Sequence, residues 1–423
     1  MTAHPVSSAA AQKGPHSFLW MQIPFAVLAI VGLAGSAAGL VLDSKHLLYS
    51  YLTAYSAALM VVLGMLFFGL LHHVTGALWS TIVRRPAEQF LAAMPVFVLL
   101  VLPILAAAGQ IYSWADPVYV ANDPVYPLKA SYLNLPFFYA RAVLYVAILL
   151  ALTYLVRSLS LRQDVTGDPR ITLRQRFWAG PAMFLYALVV AFIGFDWLMT
   201  LDFHWYSTLF GVYVFSQSVL AAFALLGVVC WNLKAGALRD KISADTMHDL
   251  GKWTFVWAVF WAYIAFSQWM LIWYANIPES TIWFVHRWQG TWWIISLLLP
   301  LGFFVVPFFI LLPAQVKKIR FFFTAVTAVI LFTHYLGVYW LVMPVLLPEG
   351  PDPSKLWMEA STVLLMVGIL GFVTVRATAR HPLYSVHDPR LAEALELIHG
   401  HDHDDDHGHE AAHGASPAAA SHA

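Results

Sequence analysis

Long apolar runs alternate with short polar segments along almost the whole chain. A helix that crosses a bilayer needs roughly 20 mostly apolar residues. Ten runs meet that length, at 18–42, 47–71, 89–110, 136–156, 178–200, 207–231, 253–274, 290–312, 321–347 and 357–375. Several carry proline (Pro95, Pro103, Pro181, Pro300, Pro307, Pro344), which membrane helices tolerate where neighbours re-satisfy the freed carbonyls. The seventh run and its exit, residues 252–288, are expected to be the element around which the chain is organised. At about 100° per residue, Tyr263, Ser267 and Tyr274 share one side with Met270, and Trp253, Trp257, Trp261 and Gln268 take another. A helix in lipid alone needs neither Gln268 nor a tyrosine ladder, so it is expected to meet protein, water or a ligand.

Composition agrees. Hydrophobic residues are 60% of the 423 and charged residues 11%, with a mean hydropathy of +0.70; an ordinary soluble domain carries about 25% charged residues. The chain reads as an all-α, polytopic membrane protein. Zero net charge gives no support to nucleic-acid binding. The single Cys230 excludes a disulfide framework, thiolate-held iron–sulfur clusters and c-type haem attachment within this chain. The first residues lack the basic segment and small-residue cleavage pattern of a signal peptide, so the first apolar run is expected to remain as a helix.

Orientation follows from lysine and arginine in the loops. With the N-terminus inside, the inner segments hold eighteen of them and the outer loops four (Lys45, Lys129, Arg287, Lys355), with Arg141 inside a run. The alternation supports ten spans and two cytoplasmic termini: a segment at 1–17, a membrane domain at 18–375 and a tail at 376–423. The outer segment 111–135, rich in Pro, Tyr and Asn, is either a docking surface for an external partner or an ordered cap. Residues 399–413 mix His with Asp; such tracts can bind zinc or nickel weakly, but with no fixed ligand spacing a disordered tail is the better reading.

A charge near the bilayer centre costs roughly 2.5–3.5 kcal/mol, so polar groups at depth usually face a bundle interior. His334 sits near the middle of the ninth run with Thr327 on the same face, either as a proton relay or as a neutral interhelical partner. Asp196, followed by Asp202 and His204, is a proton acceptor or exit group, or an interfacial cap. His72 and His73 end the second run; haem ligation by them is disfavoured because His334 lies much deeper. Arg141 snorkels by default, with a hold on Asp196 or on a negatively charged external partner as the alternatives. Ser216, Gln217, Ser218 and Gln268 are interhelical glue or line a polar cavity.

The fifth-run exit (Phe195-Asp196-Trp197-Leu198-Met199-Thr200-Leu201-Asp202, then Trp205-Tyr206-Ser207-Thr208-Leu209-Phe210-Gly211) and the seventh run (Phe260-Trp261-Ala262-Tyr263-Ile264-Ala265-Phe266-Ser267-Gln268 to Trp273-Tyr274-Ala275-Asn276-Ile277-Pro278-Glu279) resemble the ActF subunit of bacterial alternative complex III, of the NrfD/polysulfide-reductase type. The resemblance covers nearly the whole ten-helix region. It implies two four-helix bundles, helices 2–5 and 6–9, flanked by helices 1 and 10. It also implies residence in a bacterial inner-membrane complex that oxidises menaquinol or a similar quinol. Partners would be a second NrfD-like subunit, an iron–sulfur protein, multihaem and monohaem cytochromes c that carry the haem c and clusters, and a terminal oxidase in some assemblies. Electrons would pass to a cytochrome c, a copper protein or the oxidase.

Quinone chemistry needs a proton acceptor and a hydrogen-bond donor at the two carbonyl ends of the ring, in an apolar slot. Quinone or polar-cavity candidates are Arg141, Tyr263, Ser267, Gln268 and Tyr274. Proton-path candidates are His72, His73, Asp196, Asp202, His204 and His334, running from the inner histidines through His334 to Asp196. No metal site is expected. The alternatives are a secondary transporter and a purely structural anchor of a redox complex.

Overall fold

The computed structural model describes residues 16–396, so the His/Asp tract at 399–413 lies outside the described residues. Among the described residues, ten helices are long and apolar enough to cross a membrane. They are α1 (Gln22–Leu42), α2 (Ser44–Thr75), α3 (Arg84–Ala106), α4 (Leu135–Thr166), α5 (Arg170–Asp202), α6 (Phe210–Lys234), α7 (Ala244–Ala275), α8 (Trp292–Leu311), α9 (Arg320–Val345) and α10 (Leu356–Arg380). No strand occurs among the described residues. The protein is an all-α, multi-pass membrane protein.

Local chemistry sets the helix ends. The Asp43 side chain accepts from the His46 N–H at the start of α2, and Ser243 does the same for Thr246 at the start of α7, which satisfies donors that a helix N-terminus leaves open. Gly76 (φ 61°) and Asn276 (φ 48°) close the same two helices in the left-handed conformation. Helices α4, α5 and α7 extend beyond the apolar runs by about two to three turns, because the charged and polar residues at these ends continue the helix. Helix α3 is broken beside Pro95 and Pro103, as proline's missing N–H requires.

Neighbour relations define two rings. In the first, α2, α3, α4 and α5 pack in sequence and α5 returns to α2. In the second, α6, α7, α8 and α9 do the same and α9 returns to α6. Because α2 and α6 are four crossings apart, they run in the same direction, so the rings are parallel repeats. They join along α2–α6, with α5–α6 and α2–α9 contacts beside that seam. Helix α10 covers α2 and α3, and α1 lies against α10.

The organising element is therefore α2, not the expected seventh helix. In its most apolar stretch 94% of α2 is buried, against 28% for α7. Side chains explain the seam: a Cβ on Gly64 of α2 would lie 2.3 Å from the Ser218 carbonyl oxygen of α6. The α1–α10 contact uses the same device, since a Cβ on Gly32 would lie 2.2 Å from the Leu365 backbone nitrogen. Small residues let helices approach until their backbones touch, which is how association proceeds where lipid removes the hydrophobic drive.

Segment 111–135 is an ordered cap. Its Tyr112 and Trp114 are buried, Tyr112 donates to the Trp197 carbonyl at 3.2 Å, and Lys129 donates to the Phe203 carbonyl at 2.5 Å. Burial lowers the Lys129 pKa, against the opposing pull of Asp202 and Asp123. Val118, Tyr119, Leu128 and Tyr206 remain exposed on the same end of the molecule.

Candidate functional site

Only three charged residues fall inside the ten apolar runs: Arg141, Asp196 and Glu359. The structure accounts for each. A π-helical turn at Gly194–Leu198 carries Asp196, which is fully buried. Arg141 Nε donates to Asp196 Oδ2 at 2.7 Å and its terminal nitrogen to Oδ1 at 3.1 Å. Tyr132 and Tyr145 add hydroxyl donors at 2.9 and 2.6 Å. The rings of Tyr132 and Phe137 lie against the Arg141 guanidinium at 3.8 and 4.4 Å. Arg141 thus does not snorkel as expected; it clasps Asp196 in a two-point geometry that matches guanidinium to carboxylate. With four donors on two oxygens, Asp196 has little free capacity to accept a transferred proton, and its carboxylate meets no backbone N–H among the described residues, so the hold by Arg141 describes it better than a cap does.

Glu359 of α10 is the third. Its Oε1 lies 2.8 Å from Nε2 of His46, one residue before the second apolar run, and both residues are buried. Beside them on α9 stand the phenols of Tyr335 and Tyr339, whose rings are 6.2 Å apart. Four buried polar atoms here have no hydrogen-bond partner among the described residues: His46 Nδ1, Glu359 Oε2 and the two phenol oxygens. Buried polar groups are normally satisfied by protein or water, so this cluster has the donors and acceptors to take up water or a polar ligand. An imidazole against a carboxylate can pass a proton from one side to the other. Residues 46 and 359 were not among the expected site residues, although Glu359 is the sole acid in the tenth run.

His334 stands where the rings join. Its Nε2 lies 2.9 Å from the Ala57 carbonyl of α2. A carbonyl only accepts, so this nitrogen carries the proton and Nδ1 is left to accept from the Gln217 amide of α6 at 3.3 Å. The same amide donates to the His334 carbonyl at 2.9 Å. His334 is a neutral cross-brace among α2, α6 and α9, which matches the interhelical reading.

His72 and His73 belong to a separate cluster at the opposite end of α2, about 22 Å along the axis from Ala57. Residues 58–71 between them are apolar. Arg84 and Arg390 donate to His72 Nε2 at 3.2 and 2.8 Å, so Nδ1 donates to Ser80 Oγ at 2.7 Å. Both nitrogens of buried His73 have no hydrogen-bond partner among the described residues. Around them Arg84 pairs with Glu88 (3.0 Å) and Asp388 (3.1 Å), and Arg85 pairs with Glu88 (2.8 Å) and with Asp164. The segment after α10 folds back to supply Ser385, Asp388 and Arg390. Against its burial, Arg84 and Arg390 hold Asp388 below the usual carboxylate range. Burial first, then Arg157, Arg85 and Arg380, lowers the pKa of neighbouring His381 to about 4.

The remaining candidates do not meet. His204, exposed, pairs with Asp123 at 2.6 Å, and Asp202 is half-buried at the very end of α5. Of the quinone or polar-cavity candidates on α7, Tyr263 and Tyr274 are 65% and 83% exposed and Ser267 is half-buried, whereas Gln268 faces inward with Trp257 and Trp261, so Gln268 does not share a face with the tyrosines. No hydrogen bond among the described residues links His72 or His73 to His334, or His334 to Asp196, so the expected path is not continuous in side chains. No group of three metal-ligating side chains occurs among the described residues.

The second ring is built differently at the same end. Arg287, just after the short helix Pro278–His286, is buried without an ion pair among the described residues. It donates to the carbonyls of Trp283, Trp340 and Leu341 at 2.9, 3.1 and 3.0 Å, and its guanidinium centre lies 3.5 Å from the Trp283 ring. Burial pulls its pKa below the ordinary arginine value, and Asp202 and Tyr213 oppose this only in part.

Comparison with known protein families finds no match to this chain, and comparison with curated proteins finds no relative. The class that the fold and its polar clusters define is a ten-helix membrane protein of two parallel four-helix rings.

Proposed function

We propose that this chain is an integral membrane subunit of a quinol-oxidising electron-transfer complex, of the alternative complex III type, in which it handles protons coupled to quinol oxidation. The observation that carries the reading is the buried His46–Glu359 pair beside two partnerless phenols, between α2, α9 and α10. It combines an acid–base couple with hydroxyl donors in an apolar surround, the set of groups that a quinol headgroup or its released proton requires. The two four-helix rings and the aromatic motifs at the α5 exit and on α7 support the same assignment. The redox centres, haem c and iron–sulfur clusters, belong to partner subunits, because the chain's only thiol, Cys230, is buried. The partners are a second related membrane subunit, an iron–sulfur protein and cytochromes c. The exposed Val118, Tyr119, Leu128 and Tyr206 offer an external partner an apolar surface. The basic end is cytoplasmic by its excess of lysine and arginine.

A structural role for one part is favoured by a specific observation: the donor-saturated Asp196 is a clasp rather than a carrier. The test begins with mild-detergent purification from the native membrane. Co-purifying haem-c and iron–sulfur proteins with quinol oxidation activity are expected. A homogeneous single chain would overturn the assignment and favour a transporter. In the complex, Glu359→Gln should lower proton release per quinol while assembly persists. Wild-type stoichiometry in that variant would remove the pair from the mechanism.

A further inference from the structure

Three arginines at the basic end of the first ring are accounted for by nothing above. Arg162 near the end of α4, and Arg170 and Arg174 in the first turns of α5, surround one open cleft of about 200 Å³. Its other lining residues are Leu159, Thr166, Asp168 and Ile171. All three guanidiniums are exposed and make no ion pair or side-chain hydrogen bond among the described residues. The nearby acids are otherwise engaged: Asp164 is taken by Arg85, and Asp168 accepts from the Arg170 backbone N–H at 2.9 Å. Three cations thus line a cleft with one carboxylate, and the apolar Leu159 and Ile171 line it with them.

The surface beyond the cleft is apolar and runs into the membrane-spanning part of α5. Trp178, Pro181 and Leu185 lie within about 40° of Arg174 around the helix. Trp178 and Leu185 are exposed, with Phe177 and Phe184 beside them. A phosphate in the cleft would therefore sit above a strip suited to hydrocarbon, with an indole at the boundary depth that tryptophan favours.

We propose that this cleft binds the headgroup of an anionic phospholipid, its phosphate held by Arg162, Arg170 and Arg174 and an acyl chain lying along Trp178 and Leu185. Guanidinium groups recognise phosphate oxygens two at a time, and basic pockets between membrane helices are a known mode of headgroup recognition. A free anion would use the arginines but not the strip below them.

The protein is extracted from its own membrane in mild detergent and its retained lipids are measured by native mass spectrometry. Phosphatidylglycerol and phosphatidylcholine are then added separately, with inorganic phosphate as a third arm. Expected is retention of phosphatidylglycerol over phosphatidylcholine by at least tenfold, lost in Arg162→Gln/Arg170→Gln/Arg174→Gln and kept in Arg239→Gln, an exposed arginine of the same end. Because the three side chains support nothing else, the triple variant should fold with an unchanged melting temperature in lipid-free detergent, whereas added phosphatidylglycerol raises that temperature only in the parent. Equal retention in parent and triple variant, no preference over phosphatidylcholine, or stabilisation by millimolar phosphate as large as by the lipid would each overturn the proposal.

Discussion

Two arginines are buried at the same end of the molecule, one in each ring, and they are neutralised in opposite ways. Arg141 meets a carboxylate, Asp196, and shares it with two phenols. Arg287 meets no carboxylate among the described residues; three backbone carbonyls and an indole face spread its charge over dipoles. The first arrangement has strong mutual attraction but leaves a bare anion if broken. The second has weaker partners that are harmless when the cation leaves. The rings thus share an architecture but differ in what a single substitution exposes.

The largest expected effect follows from that difference. Arg141→Leu strands Asp196 in an apolar surround and should cost about 3–5 kcal/mol, read as a collapse of the unfolding transition in detergent. Arg141→Leu with Asp196→Leu should restore most of the loss. If the double variant is no better than the single, the clasp is not an electrostatic unit. Arg287→Met should cost less, about 1–3 kcal/mol, since it forfeits hydrogen bonds and ring contact without leaving a charge. A loss equal to that of Arg141→Leu would erase the distinction between the two rings. The smallest effect concerns the basic end of the first ring. His381 titrates at about 4 in the folded protein, below its ordinary 6.5, so between those values the unfolded chain binds a proton that the folded one does not. Stability there rises with pH and falls on acidification from 6.5 towards 4. His381→Gln should flatten the melting temperature across that window; an unaltered slope would assign the pH dependence to other groups.

Much of the fold was legible because a bilayer imposes one length on every span. All ten apolar runs became helices at close to their expected positions. Which face of each helix turns inward was not legible, because a helix apolar all round gives no polar stripe to read. Helix α7 is the instructive case. Its tyrosines drew attention, yet its inner face carries Gly251, Thr254 and Ala258 with Trp257 and Trp261, the small residues that permit close approach. The same blindness hid the centrality of α2, whose sequence differs little in hydropathy from its neighbours. Asp196 and Arg141 were visible singly as charges at depth, but their contact spans 55 residues and depends on how α4 meets α5. Glu359 was readable as a lone acid in an apolar run; its partner His46 stands just outside one and gave no such signal.

The pairing of α1 with α10 sets an order of events during synthesis. Helix α1 leaves the ribosome before the nine other described spans yet rests chiefly on α10, and only 17% of its most apolar stretch is buried even then. At about 5–20 residues per second, α1 waits for tens of seconds in lipid with its glycine face uncovered, while both rings close beside it. A chain released before residue 356 would hold two complete rings and an orphaned first helix, and the quality-control proteases of the membrane would meet that exposed glycine stripe as the mark of an unfinished product.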